Sequence, residues 1–151
     1  MAPSYHYPDI GTLGEDFVAQ YLTDNGWKIL HRRWKSGRRG EIDIIAECEN
    51  TTTDLTLAFV EVKTRSAGNW DSGGRDAVEL CKQTKCARAA QMFLAEHPDK
   101  ENYTCRFDVA IVSCERKSKR APSTDRISVQ KSGYYLTLQE YIIAAFDAPS
   151  D

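Results

Sequence analysis

The chain has 151 residues, with 20 Lys+Arg against 22 Asp+Glu, 41% hydrophobic and 28% charged, the length and mix of one ordinary globular domain. A formal net charge of −2 excludes histone-like binding driven by bulk positive charge, so any nucleic-acid partner must be met by a local basic patch. A chain of this size buries roughly two thirds of its unfolded surface and needs no disulfide staples. Cys48, Cys81, Cys86, Cys105 and Cys114 show no C-x-x-C spacing and read as small buried hydrophobes in a reducing, cytoplasmic setting.

Residues 1–8 carry two prolines and no periodicity and read as a loose tail; a single domain is expected over 9–147, with a short tail at 148–151. The start has neither a basic segment nor an apolar h-region, and the longest apolar run, 141–146, is far below membrane-spanning length, so no membrane partner is expected. A helix is predicted over 9–25, with Leu13, Phe17, Val18, Tyr21 and Leu22 on its apolar side and Asn25-Gly26 as its stop. Strands follow at 27–34, 41–48 and 55–65, separated by turns at 35–39 and 50–54. A loop rich in Gly and Ser leads to a long helix at 75–96, then strands at 103–114 and 126–131, and a closing helix at 138–146. The order α-β-β-β-α-β-β-α predicts an α/β domain, a mixed β-sheet flanked by helices.

The chemistry concentrates in the second and third strands. In 40–48, Ile42, Ile44, Ala46 and Cys48 alternate onto one apolar face, leaving Asp43 on the other. In 55–65 the odd positions change from apolar to charged at Glu61, Lys63 and Arg65. If 50–54 closes a hairpin, Asp43 lies opposite roughly residue 60, which makes Asp43 and Glu61 neighbours. Two carboxylates that close raise one another's pKa unless a cation sits between them, and oxygen ligands with a lysine nearby suit Mg²⁺, or Mn²⁺, beside substrate phosphates. Glu15 lies outside the polar arc of the first helix, flanked by Gly11 and Gly14, a position that favours a paired or cation-bound acid.

Lys28, Arg32, Arg33, Lys35, Arg38 and Arg39 fall in an acid-free stretch with Trp27 and Trp34 interleaved, which reads either as a backbone-tracking rim or as a charge-protected strand edge. Trp70 is either a base-stacking or a core-capping side chain, and Asp108, between apolar neighbours, is expected to pair with Arg106 or a backbone group. The absence of G-x-G-x-x-G or G-K-[ST] argues against a nucleotide cofactor, and His6, His31 and His97 lack zinc-ligand spacing.

Gly14-Glu15, Gly26-Trp27-Lys28-Ile29-Leu30, Gly40-Glu41-Ile42-Asp43, Phe59-Val60-Glu61-Val62-Lys63-Thr64-Arg65, Lys82-Gln83 and Arg106-Phe107-Asp108-Val109 together resemble the UPF0102 (YraN-like) family over roughly residues 11–112. That family is similar to the restriction-endonuclease-like PD-(D/E)xK superfamily and to the archaeal Holliday-junction resolvases. The resemblance implies a restriction-endonuclease-like fold with Asp43 and Glu61 as metal-binding acids, Glu15 as the acid of the first helix, Lys63 as the catalytic lysine and the Val62 carbonyl as a further metal oxygen. It implies a Mg²⁺-dependent endodeoxyribonuclease acting on DNA, including branched or structured DNA, with Lys82 as the family's helix lysine; Arg32, Arg33, Lys35, Arg38 and Arg39 of the basic stretch, with Arg65 and Lys82, are the expected nucleic-acid contacts. Two scissile strands would ask for a homodimer. The alternative is a non-catalytic nucleic-acid-binding or partner-docking module on the same fold.

Overall fold

The computed structural model describes residues 9–35, 37, 40–49, 55–66, 80–116, 128–131 and 133–146. Asp9 starts the first helix: its backbone is extended and its Oδ1 accepts the Gly11 N–H at 3.0 Å, satisfying a donor that the first turn leaves open. Helix α1 (Ile10–Asp24) ends where Gly26 adopts φ +89. There the Trp27 N–H donates to the Leu22 carbonyl at 2.9 Å and the Gly26 N–H to the Thr23 carbonyl at 3.2 Å, a closure that needs a left-handed residue without a Cβ.

The chain passes directly into β1 (Lys28–Lys35), which forms an antiparallel meander with β2 (Glu41–Glu49) and β3 (Leu55–Ser66). Helix α2 (Leu80–Glu96) and a 3-10 turn (Pro98–Lys100) then carry it to β4 (Thr104–Arg116), parallel to β3. Strands β5 (Ser128–Lys131) and β6 (Tyr134–Phe146) complete one six-stranded mixed sheet, ordered β1-β2-β3-β4-β6-β5. The expected α/β class and mixed sheet stand, but the closing helix is corrected to a strand. A short apolar run fits either state by spacing alone. Here β4 offers a free edge, and the Tyr, Leu, Thr and Ile side chains of 134–143 suit a pleated ladder, which pairs with β4 from Phe107↔Phe146 to Arg116↔Tyr134.

Alternation along β3 divides the interior. Ala58 and Val60 pack with Leu13, Phe17, Val18 and Leu22 of α1, while Leu57 and Phe59 pack with Cys86, Ala89, Ala90 and Phe93 of α2. Each helix therefore covers one face of the sheet. Phe93, fully buried, anchors the second face, with ring centroids 5.6 Å from Trp34, 6.0 Å from Phe59 and 4.1 Å from His97. Met92 is 44% exposed and so lies off the buried stripe of α2. The thiols divide similarly: Cys86 and Cys114 are buried as expected, whereas Cys48 is half-buried and Cys105 exposed. The expected tails, Trp70 and the expected turn at 50–54 lie outside the described residues. Among the described residues no helix is long and apolar enough to cross a membrane.

Asp108 is the fully buried acid of β4. It sits where the β4–β6 register shifts, between Phe107↔Phe146 and Val109↔Ile142. Its Oδ2 accepts from Arg106 Nε at 3.1 Å and Tyr141 Oη at 2.8 Å, and its Oδ1 accepts the Ala144 N–H at 3.0 Å. Both expected kinds of partner are present. The Ala144 amide, on a residue with φ 52, is turned out of the regular ladder by the bulge and takes a side-chain acceptor instead. Burial, with the Asp108 charge added, pushes the Tyr141 phenol above its ordinary range. Asp108→Ala orphans three donors at once and is expected to cost about 3–5 kcal/mol. Tyr141→Phe, which removes one, should cost about 1 kcal/mol; urea unfolding of the two variants measures the difference.

Candidate active site

The site is built around a step in β1 and β2. Arg32 is paired with Ile44 and Trp34 with Ile42, so Arg33 and Asp43 occupy the rung between. Strict alternation would send Arg33 to the face opposite Arg32. Instead Arg33 takes φ 53, a left-handed backbone that costs an arginine of order 1 kcal/mol, and both side chains reach α1. Arg32 Nη2 meets Asp16 Oδ1 at 2.7 Å, and Arg33 meets Glu15 at 3.1–3.4 Å through Nε and Nη2. Strand β2 slips at the same place: Ile44 and Ala46 pack on the α1 side but Ile42 on the α2 side. This corrects the single apolar face expected for Ile42, Ile44, Ala46 and Cys48.

The β2–β3 pairing ends at Ile44↔Val60, while β3 continues beside β4 to Ser66. Asp43 fills the fork where the two strands part, and its Oδ2 accepts the Val62 N–H at 2.8 Å. The hairpin register expected from the sequence is met, with Asp43 one rung beyond that last pair and beside Glu61. Glu61 is only 6% exposed. Burial first, then the Glu61 charge, the Glu15 charge and a side-chain hydrogen bond with Glu61, together raise the Asp43 pKa from 3.8 to about 7 against the opposing Val62 amide. Asp43 is thus a half-buried carboxyl facing a buried one.

Two glycines bring the helices down onto this fork. A Cβ on Gly14 would overlap the Thr64 hydroxyl, and one on Gly40 would lie 2.5 Å from the Lys85 carbonyl oxygen of α2. Glu15, next to Gly14, is 9% exposed and reaches the fork from the α1 side. Alternation assigns Glu61, Lys63 and Arg65 to the α2 side with Phe59, where Lys63 and Arg65 are half-buried. Thr64 Oγ1 is buried with no hydrogen-bond partner among the described residues.

The structure therefore brings Asp43 and Glu61 together, sets Glu15 close enough to act on Asp43 electrostatically, and leaves Glu15 ion-paired with Arg33. Among the described residues no three His, Cys, Asp or Glu side chains form a group that could hold a metal ion; the carboxylate pair is the nearest arrangement. Oxygen-only donors and a repulsion that a cation would relieve do fit Mg²⁺. At Val62 the amide donates to Asp43. Lys35 is exposed at the end of β1, whereas Arg38, Arg39 and the Lys82 side chain lie outside the described residues. The partners Thr12 and Asp16 were not singled out from the sequence; the acidic pair Glu15-Asp16 on the helix ahead of Arg32-Arg33 was the available signal.

A carboxyl whose pKa is raised on folding contributes stability that is complete below its unfolded pKa and lost as pH rises through the folded value. Metal-free protein should thus weaken between about pH 4 and about pH 7. Asp43→Asn, which keeps an acceptor for the Val62 amide, is expected to be more stable than the parent at about pH 8 by roughly 1–3 kcal/mol and to show no advantage at about pH 4, read by urea unfolding in chelator. Gly14→Ala should cost about 1–3 kcal/mol. Thr64→Ala, which removes a hydroxyl lacking a partner, should recover most of that loss in the double variant.

Residues 14–112 match the family model described as uncharacterised protein family UPF0102. The chain is 55% identical over 139 residues to the UPF0102 protein alr1796 of Nostoc sp., a match covering 92% of this chain and 94% of that protein. A UPF0102 protein of Trichormus variabilis is 54% identical over 148 residues, covering 95% and 97% respectively. One from Trichodesmium erythraeum is 41% identical over 162 residues, covering 91% and 88%. The matched span contains Glu15, Asp43, Glu61 and Lys63, and the chain belongs to the UPF0102 family.

Proposed function

We propose that this protein is a divalent-metal-dependent nuclease that hydrolyses phosphodiester bonds of DNA, branched or structured DNA included. The observation that carries the reading is the Asp43–Glu61 pair: two carboxyls in hydrogen-bond contact, one with its pKa raised to about 7, an arrangement that opposes stability at neutral pH and that a divalent cation makes favourable. UPF0102 membership and its similarity to PD-(D/E)xK nucleases support the same reading.

Asp43 and Glu61 would hold Mg²⁺ or Mn²⁺, with the Val62 carbonyl as an added oxygen and Glu15 in reserve on the α1 side. When bound, such an ion supplies Lewis-acid stabilisation of phosphoryl charge and a more acidic water. The Val62 amide fixes the Asp43 carboxylate in the fork. Lys63, two residues past Glu61 and about 7 Å along the same face, positions the attacking water and offsets charge developing on phosphorus. Lys35, Arg38, Arg39, Arg65 and Lys82 track the DNA backbone, and cutting both strands of a junction calls for two chains related by a two-fold axis.

The test is incubation of pure protein with linear, flapped and four-way DNA in Mg²⁺ or Mn²⁺, beside Asp43→Asn and Lys63→Ala. Cleavage by the parent, reduced on the order of 100-fold or more in both variants, is expected. Equal nicking by all three overturns the catalytic assignment. Metal-independent DNA binding that Asp43→Asn leaves intact, with no cleavage, replaces the nuclease with a docking module.

A further inference from the structure

The Arg33–Glu15 pair differs from its neighbour Arg32–Asp16 in ways that bear on what Arg33 does. Arg32 and Asp16 are similarly exposed, 35% and 34%, and meet at 2.7 Å, an ordinary surface ion pair. The Arg33 side chain is 46% exposed while that of Glu15 is only 12% exposed, and their closest approach is 3.1 Å. This is longer than a well-formed charged hydrogen bond. The guanidinium uses Nε and Nη2 on Glu15 and Nη2 again on the Thr12 hydroxyl at 2.5 Å; Nη1 makes no hydrogen bond among the described residues. A strained backbone at φ 53 is maintained to aim this one side chain at α1. The acid it covers is near enough to Asp43 to raise that carboxyl's proton affinity.

We infer that Arg33 is a displaceable partner of Glu15, a positioning residue that passes its guanidinium to a DNA phosphate and thereby releases the Glu15 carboxylate toward Asp43 and Glu61. The inference rests on the nuclease reading and adds the order of events at that site. In the free protein the arginine neutralises a largely buried acid and stands half in solvent, its fork incompletely used. An arriving phosphodiester offers the same fork two oxygens in bidentate geometry. Glu15 and phosphate then compete for one cation, and the metal site gains its third acid only when DNA has taken Arg33. The exchange is a change of ion-pair partner, with no bond made or broken.

Competition gives opposite signs for the two members of the pair. In chelator, at low salt, Glu15→Gln should bind a short DNA duplex about 3–10-fold more tightly than the parent, because the arginine no longer has a rival anion. Arg33→Gly, which suits the left-handed backbone, should bind it about 5–10-fold more weakly and lower the slope of log affinity against log salt by about 1. Arg33→Lys, which keeps the charge but not the fork, should retain the slope. Calorimetry with Mn²⁺ and no DNA should show Arg33→Gly binding the ion about 3–10-fold more tightly than the parent and Glu15→Gln no more tightly. If Glu15→Gln leaves DNA affinity unchanged or weakened and Arg33→Gly leaves the salt slope unchanged, while the parent binds both DNA and Mn²⁺, the exchange is overturned and the nuclease reading stands. A parent protein that binds neither overturns both.

Discussion

The hydrogen bond from the Val62 amide to the Asp43 carboxylate, 2.8 Å long, is the contact on which the rest of the site depends. Two paired strands cannot part inside a protein without orphaning backbone groups, and a buried amide left without an acceptor costs about 1–3 kcal/mol. By giving its own carboxylate to the Val62 N–H, Asp43 lets β2 leave β3 one rung past Ile44↔Val60 with that donor satisfied. The same bond opens the fork and fixes an acid in it. An apolar residue at this position would force the ladder either to continue or to lose a partner, and in neither case would Glu61 face a second carboxyl.

Packing on both faces holds the fork in place. Gly14 lets α1 lie against Thr64 of β3, and Gly40 lets the start of β2 lie against the Lys85 carbonyl of α2. Each glycine precedes an acid, Glu15 in one case and the Glu41-Ile42-Asp43 segment in the other, so close backbone approach and carboxylate placement are set by adjacent residues. Interiors packed to native density transmit small displacements, and a helix pushed outward by one methyl group would carry Glu15 with it. Asp108 serves the sheet differently, binding Arg106, Tyr141 and Ala144 at the β4–β6 bulge, with Arg106 in turn 4.9 Å from the Trp27 ring. The sheet bulge and the fork thus use separate acids.

Much of this was legible in the residue order. Period-two patterning located β1 to β4, and a turn at 50–54 fixed the hairpin register closely enough to set Asp43 beside Glu61. The Arg106 and backbone partners of Asp108 followed from an acid stranded among Phe107, Val109 and a nearby arginine, whereas Tyr141, on a segment read as helix, did not. What could not be read was the step at Arg33 and Asp43. Isoleucines stand at 42, 44 and 45, so the pattern is apolar whichever way the strand turns, and an arginine at φ 53 has no signature of its own as a glycine would. The 138–146 segment failed for a related reason: whether an apolar run coils or extends was decided by the open edge of β4, a partner distant in sequence. Glu15 was recognised as off-face, yet its partner Arg33 depends on the same unreadable kink.

The net charge of −2 and the basic stretch of β1 are reconciled by the same ion pairs. Arg32 and Arg33 do not project a free positive rim; α1 returns Asp16 and Glu15 to them, so the metal-free surface near the fork is closer to neutral than the local sequence suggests. Under the proposed function a divalent ion between Asp43 and Glu61 reverses this balance, since two added charges beside a small cluster of acids shift the local field strongly at the short distances and low dielectric of a half-buried site. Positive potential toward a phosphate backbone then grows with metal occupancy, and by linkage metal affinity grows with bound DNA. An acidic protein can thereby keep its arginines paired while alone and present them more strongly to a polyanion where a cation is also bound, each ligand strengthening the other at the surface around the fork.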